Sequence, residues 1–134
     1  MDVATAVAWY EGYLRLFEAC GRGTSDDIEA LAACFAVPAL LTTDDGVRVV
    51  ESAQAHVAIL RDQMKSLREA GYYHSEQLSA HSAPLNAFTV LHTATFARRR
   101  VDASEIGRLR ATYLITAGAS GPRISALAVG HPRS

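Results

Sequence analysis

Val3, Val7, Tyr10, Leu14 and Phe17 recur at alternating steps of four and three. That spacing lays one apolar stripe along a helix predicted over residues 3–20, and Gly21 and Gly23 stop it. Thr24 or Ser25 is expected to cap a short second helix, with Asp26, Asp27 and Glu29 at its positive end. Ile28, Leu31, Ala32 and Phe35 would be its buried side, and Pro38 would close it. ALLTT and VRVVE flank DDG, which reads as a hairpin. Ser52 opens a third helix reaching about Ala70, with Val57, Leu60, Met64 and Leu67 on one face and Gly71 as its stop.

From Tyr72 onward the period changes to two. HSEQLSAHS, AFTVLHTATFARRR, EIGRLRATYLITA and RISALAV are separated by APLN, VDAS and GASGP, and predict a four-strand antiparallel meander. Folding the two central strands about Ala103 and Ser104 sets Ile115 opposite His92. One face then holds Phe88, Val90, His92, Ala94, Phe96 and Arg98 with Leu109, Ala111, Tyr113 and Ile115. The other is mostly threonine and arginine. A slip of one residue would mix the two sets, so this division specifies the register. Leu127 and Val129 on the last strand are expected on the second face, with Leu91 and Leu114. That face is more apolar than a solvated sheet requires, which suggests homodimer contact through it.

The pleat also disposes of the arginine run. Arg99, Arg108 and Arg110 point to the outer face, while Arg98 and Arg100 point inward near a rim. With net charge −1 over 134 residues, no interleaved aromatics, and Asp102 and Glu105 alongside, nucleic-acid binding is not expected. Length and composition, 49% apolar and 20% charged, fit one globular domain over residues 1–134. Glu11 and Arg15 interrupt the only apolar stretch near the start, and no run approaches a membrane span. The expected location is cytoplasmic, with Cys20 and Cys34 reduced and no membrane partner.

His92 holds the most chemical interest. A mid-strand imidazole on an apolar face must find a partner or remain costly. Pivoting the preceding strand on Pro84 and Leu85 sets Leu78 opposite His92 and Glu76 opposite Ala94. Glu76, His92 and Tyr113 would then converge within roughly 5–8 Å. Such a set suits general acid–base catalysis, a self-satisfied polar knot, or the orientation of a ligand. His74 would point inward beside it. A metal held by His74, Glu76 and His92 is disfavoured by the spacing, and no metal or cofactor is expected. Asp44 and Asp45 could pair for acid–base work, Asp44 the better placed, but DDG is also what a tight turn demands. Trp9, Tyr13 and Phe17 recur at steps of four, so core and pocket wall can be one surface. Phe35, His56, Phe88, Phe96 and Arg98 complete the expected lining.

The element order, the hairpin running from Pro38 to DDG, the GYYHS step into the meander and the Tyr113 strand followed by GPRI resemble the nuclear transport factor 2-like superfamily. The resemblance spans roughly Val3 to Val129. It implies the cone-shaped α+β fold shared with ketosteroid isomerase and polyketide cyclases, a bent mixed or antiparallel sheet wrapped around about three N-terminal helices and enclosing a pocket. In the isomerases a helix-one tyrosine, a carboxylate after the first strand and an acid on the penultimate strand do the chemistry. Tyr13 matches the first and Asp44 or Asp45 lies near the second, but Thr112 stands at the third and is no acid. The expected function is a small-molecule-binding pocket of unassigned activity. The alternative is a cofactor-free isomerase, lyase or cyclase acting on a small apolar substrate through Glu76, His92, Tyr113, Tyr13 and Asp44.

Overall fold

The computed structural model describes residues 1–132. Helix α1 (Val3–Arg22) starts at Asp2, whose carboxylate accepts the Thr5 N–H at 2.8 Å, and stops at Gly23, φ 86°. Helix α2 (Ile28–Ala32) is capped by Asp27, which accepts from the Ala30 N–H, rather than by Thr24 or Ser25. It ends before Phe35. That residue opens strand β1 (Phe35–Thr43), and Pro38 lies inside the strand instead of closing a helix. β1 and β2 (Gly46–Val50) make the expected hairpin, and Ser52 caps α3 (Ala53–Glu69) through the Ala55 N–H. The buried face of α3 carries His56, Leu60, Met64 and Leu67, so His56 takes the place expected of Val57.

The meander comprises β3 (Tyr72–Asn86), β4 (Thr89–Arg100), β5 (Glu105–Gly118) and β6 (Gly121–Gly130). β6 then pairs in parallel with β1, giving a mixed six-stranded sheet in the order β2-β1-β6-β5-β4-β3. The sheet curves without closing around the three helices, and the resulting architecture is the expected α+β fold. Its inner face is identified by contact with α1: the Tyr10 ring lies 4.4 Å from His92 and 4.8 Å from Tyr113. Val90, His92, Ala94 and Phe96 are buried there with Ala111, Tyr113 and Ile115.

The β4–β5 register differs by two residues from expectation, His92 standing opposite Tyr113 itself. A shift of two preserves the faces, so the division of side chains survives. Bulges do change faces, and of the several in this sheet two bear on the site. One lies between Gln77 and Ser79 on β3, the other between Ile124 and Ala126 on β6. An extra residue on one strand inverts the alternation beyond it. Glu76 and His74 therefore join the outer face, and Leu127 and Val129 join the inner one, the reverse of the sequence expectation in each case.

Candidate functional site

A partly open cavity of about 80 Å³ lies between the inner sheet face, α1 and α3. Roughly 10–15 Å³ of such space holds one water, so the enclosed part admits about half a dozen heavy atoms and the open mouth leaves room for a few more. Its wall is mainly apolar: Leu41 from β1, Ile59 and Leu60 from α3, Phe96, Leu127 and Val129 from the sheet. The polar groups are few, namely Tyr13, Tyr113, Arg98, Ser75, Gln63 and His56. Of the expected lining, Tyr13, Phe17, Phe35, His56, Phe96, Arg98 and Tyr113 are brought together here. Leu41, Gln63 and Ser75 escaped notice because nothing in their local pattern separates a pocket wall from an ordinary strand or helix.

The phenols are placed by helix periodicity and the pleat. Tyr13 and Tyr113 are buried, with ring centroids 6.0 Å apart in an edge-to-face arrangement. Burial raises both above the ordinary tyrosine range, so each remains a neutral O–H donor. Tyr72, pushed up to about 12 mainly by burial, shares a 2.7 Å hydrogen bond with Ser75, whose backbone N–H donates to Glu18.

Among the described residues Arg98 is the one cation of the wall. Its Nε is buried without a hydrogen-bond partner, and among the described residues no carboxylate lies within 4.0 Å of its guanidinium. Burial lowers its proton affinity, against smaller opposing effects from Tyr72, Tyr113 and Tyr13. The guanidinium carbon lies 5.8 Å from the Phe17 ring centre. A cation–π contact contributes about 0.5–2 kcal/mol, whereas removing an ion fully from water costs several kcal/mol. Half-burial reduces that cost, but Phe17 alone recovers only part of it.

His56 is fully buried, 4.1 Å from the Phe35 ring, with Nδ1 unpartnered. Burial lowers its pKa and favours the neutral imidazole. His92 sits apart from the cavity wall, beneath Tyr10. Its partner is Ser82, Oγ to Nδ1 2.6 Å, with Nε2 unpartnered. The expected convergence of Glu76 with His92 and Tyr113 does not occur. The β3 bulge sends Glu76 outside, where it forms a 2.8 Å ion pair with Arg99 that depresses its pKa. His74 accompanies it on the outer face, paired across the strands with Arg99, so His74, Glu76 and His92 do not form one ligand set.

Other expected positions lie outside the cavity. Asp44 is exposed at the β1–β2 turn, where the geometry of DDG is that of a hairpin. Phe88 is 68% exposed at the β3–β4 turn, one residue beyond the pleat that would have pointed it inward. Trp9 packs on Tyr13, ring centroids 6.4 Å apart, and buttresses the cavity from behind without lining it. Leu91 and Leu114 do lie on the outer face, in a shallow groove with Leu40, Thr112, Ala126 and Ala128. Leu127 and Val129 line the cavity, although Leu127 also borders the groove.

Among the described residues no helix is long and apolar enough to cross a membrane. The model of the family described as NTF2-like protein (DUF6841) matches residues 4–132. No curated protein matches the sequence. Among solved structures, a domain of unknown function with a cystatin-like fold from Nostoc punctiforme PCC 73102 is 18% identical, with a TM-score of 0.73, covering 100% of this chain and 81% of that one. An NTF-2 like protein of unknown function from Shewanella oneidensis MR-1 is 15% identical, with a TM-score of 0.70 over 97% and 99% of the two chains. A ketosteroid isomerase-like protein from Erwinia carotovora atroseptica SCRI1043 is 11% identical, with a TM-score of 0.66 over 98% and 97%. At such identities the likeness is one of fold.

Proposed function

Since the chain belongs to the NTF2-like protein family DUF6841, whose fold neighbours range from proteins of unknown function to a ketosteroid isomerase-like protein, we propose that it binds a small, largely apolar molecule inside the cone. The observation that carries this reading is the cavity itself: walls that are mainly apolar, with Tyr13, Tyr113 and Arg98 among the few polar residues lining it. Few polar groups in an apolar concavity are the usual composition of a ligand site. The test is a fragment titration followed by amide chemical shifts. Fragments of about six to nine heavy atoms should shift α1, α3 and inner-face signals in the wild type. Leu127→Trp, which fills the cavity, should abolish those shifts while the fold persists. Shifts that survive in Leu127→Trp would place binding elsewhere.

A second reading, cofactor-free proton transfer, is favoured by His56, a neutral imidazole in the wall with an unpartnered nitrogen. It would serve as base, with Tyr13 and Tyr113 as neutral donors to a developing oxyanion. Glu76 and Asp44 have no part in it, being outside the cavity. Incubating small carbonyl compounds with the protein in D₂O tests it. Exchange of the α-proton that disappears in His56→Gln supports this reading, and absence of exchange in the wild type refutes it.

A further inference from the structure

Three features of the molecule compete for explanation: the outer-face apolar groove, the Ser82–His92 pair beneath Tyr10, and the uncompensated Arg98. Nothing around the groove identifies what chemistry would cover it beyond a second apolar face. In the Ser82–His92 pair, Ser82 meets Nδ1 and no acid orients the ring through Nε2, so the arrangement lacks the third group that would activate a nucleophile. Arg98 carries the argument further, because its deficit is specific in sign, number and place.

The neighbouring arginines on the same strand are all provided for. Arg99 pairs with Glu76 and Glu105. Arg100 donates to the carbonyls of Ala70 and Glu105 and to the Ser104 hydroxyl. Arg98, between Ala97 and Arg99 but turned to the opposite face, has no such partner among the described residues and has its Nε buried. Its cross-strand partners on the inner face are Gly107, which has no side chain, and Ser75, whose hydroxyl is already engaged with Tyr72. The groups facing it are the neutral phenols of Tyr72, Tyr13 and Tyr113. A guanidinium among neutral hydroxyls, with Nε buried and unpartnered and no carboxylate beside it, is a half-finished anion site.

We propose that the ligand of this cavity is a small monoanionic acid with an apolar body, its carboxylate received by Arg98 together with the Tyr13 and Tyr113 hydroxyls. This rests on the cavity being a ligand site and adds the ligand's charge. One cation, with no lysine or second arginine in the wall among the described residues, balances one negative charge. A carboxylate therefore suits the site and a phosphate dianion does not. The planar fork of Arg98 matches two carboxylate oxygens. Leu41, Ile59, Leu127 and Val129 are left to receive a short aliphatic or single-ring body.

Hexanoate and benzoate, each titrated beside its neutral amide, provide the test, with binding read from amide and arginine Nε–H chemical shifts. Each carboxylate should bind at least about tenfold tighter than its amide, and inorganic phosphate should not compete. In Arg98→Met the preference should vanish, and the melting temperature of the unliganded protein should hold or rise, since a half-buried charge without an ion-pair partner has gone. Arg98→Lys should retain part of the preference. Equal affinity for acid and amide in the wild type would overturn the charge assignment while leaving the cavity a binding site. Binding of neither at about 10 mM would overturn both. A lower melting temperature in Arg98→Met would show Arg98 to be a structural strut and remove the inference.

Discussion

Ser82 faces His92 across the β3–β4 ladder, and the pair shows how a polar group is accommodated on an apolar sheet face. The hydroxyl satisfies Nδ1 at 2.6 Å, while Nε2 has no partner. Ser82→Ala would leave Nδ1 unpaired as well, and a buried unsatisfied nitrogen costs about 1–3 kcal/mol. The urea midpoint should fall accordingly, and an unchanged midpoint would mean the hydrogen bond contributes nothing net. His92 and His56 also make stability depend on pH. Burial lowers both below the ordinary histidine value of 6.5. Below that value the unfolded chain takes up protons that the folded chain resists, so acid favours unfolding. Their contribution is complete above about pH 6.5 and is lost as pH falls through the depressed folded values. Melting temperature should drop between about pH 7 and pH 5, and His92→Phe should flatten the decline. An identical slope in that variant would assign the effect to other groups.

At the scale of elements, the division of side chains between two sheet faces was legible because it depends only on parity. The β4–β5 register slipped by two from expectation without moving His92 or Tyr113 off the inner face. Bulges are not legible in the same way. The extra residue at Leu78 on β3 and at Ser125 on β6 carries no marker in the sequence, neither glycine nor proline, yet each inverts the alternation up to the next irregularity. The bulge at Ser125 brings Leu127 and Val129 into the site, while Glu76 and His74 are lost through the bulge at Leu78 together with a β3–β4 register that sets Ser82, not Leu78, opposite His92. Phe35 was misread for another reason: an apolar residue at helical spacing just past a short helix looks like its next turn. The same scale offers a test of how α1 docks on the sheet. A Cβ on Gly21 would sit 2.7 Å from the Tyr72 ring, which is itself buried and tied to Ser75. Alanine ordinarily gains roughly 0.5–1 kcal/mol over glycine within a helix, but forced overpacking costs about 1–3 kcal/mol. Gly21→Ala should therefore be net destabilising by chemical denaturation. A gain in stability would show that the ring yields freely.

Across the whole molecule, the bulge on β6 also redraws the surface through which two copies would meet. With Leu127 and Val129 turned into the cavity, the outer face retains Leu40, Leu91, Leu114, Ala126 and Ala128, a band crossing β1, β6, β5 and β4. Leu40 is 41% exposed, and the central strands beneath it are already fully paired within the sheet. Edge-to-edge addition is thus not available at this place, and association there would be face to face. We propose that the chain forms a homodimer through this band, a symmetric contact in which each Leu114 lies near the centre. Leu114→Glu should then give a monomer in light scattering with an unaltered fold, because a carboxylate on the solvent side of a strand is tolerated in one chain and repelled in two. Leu127→Glu makes the instructive contrast. It introduces its charge into the cavity, so its effect should be on stability and ligand binding rather than on mass. A wild-type monomer at concentrations of about 0.1 mM would remove the proposal. A dimer that survives Leu114→Glu would move the interface to the exposed β2 edge, where Val47 and Val49 are 74% and 58% accessible.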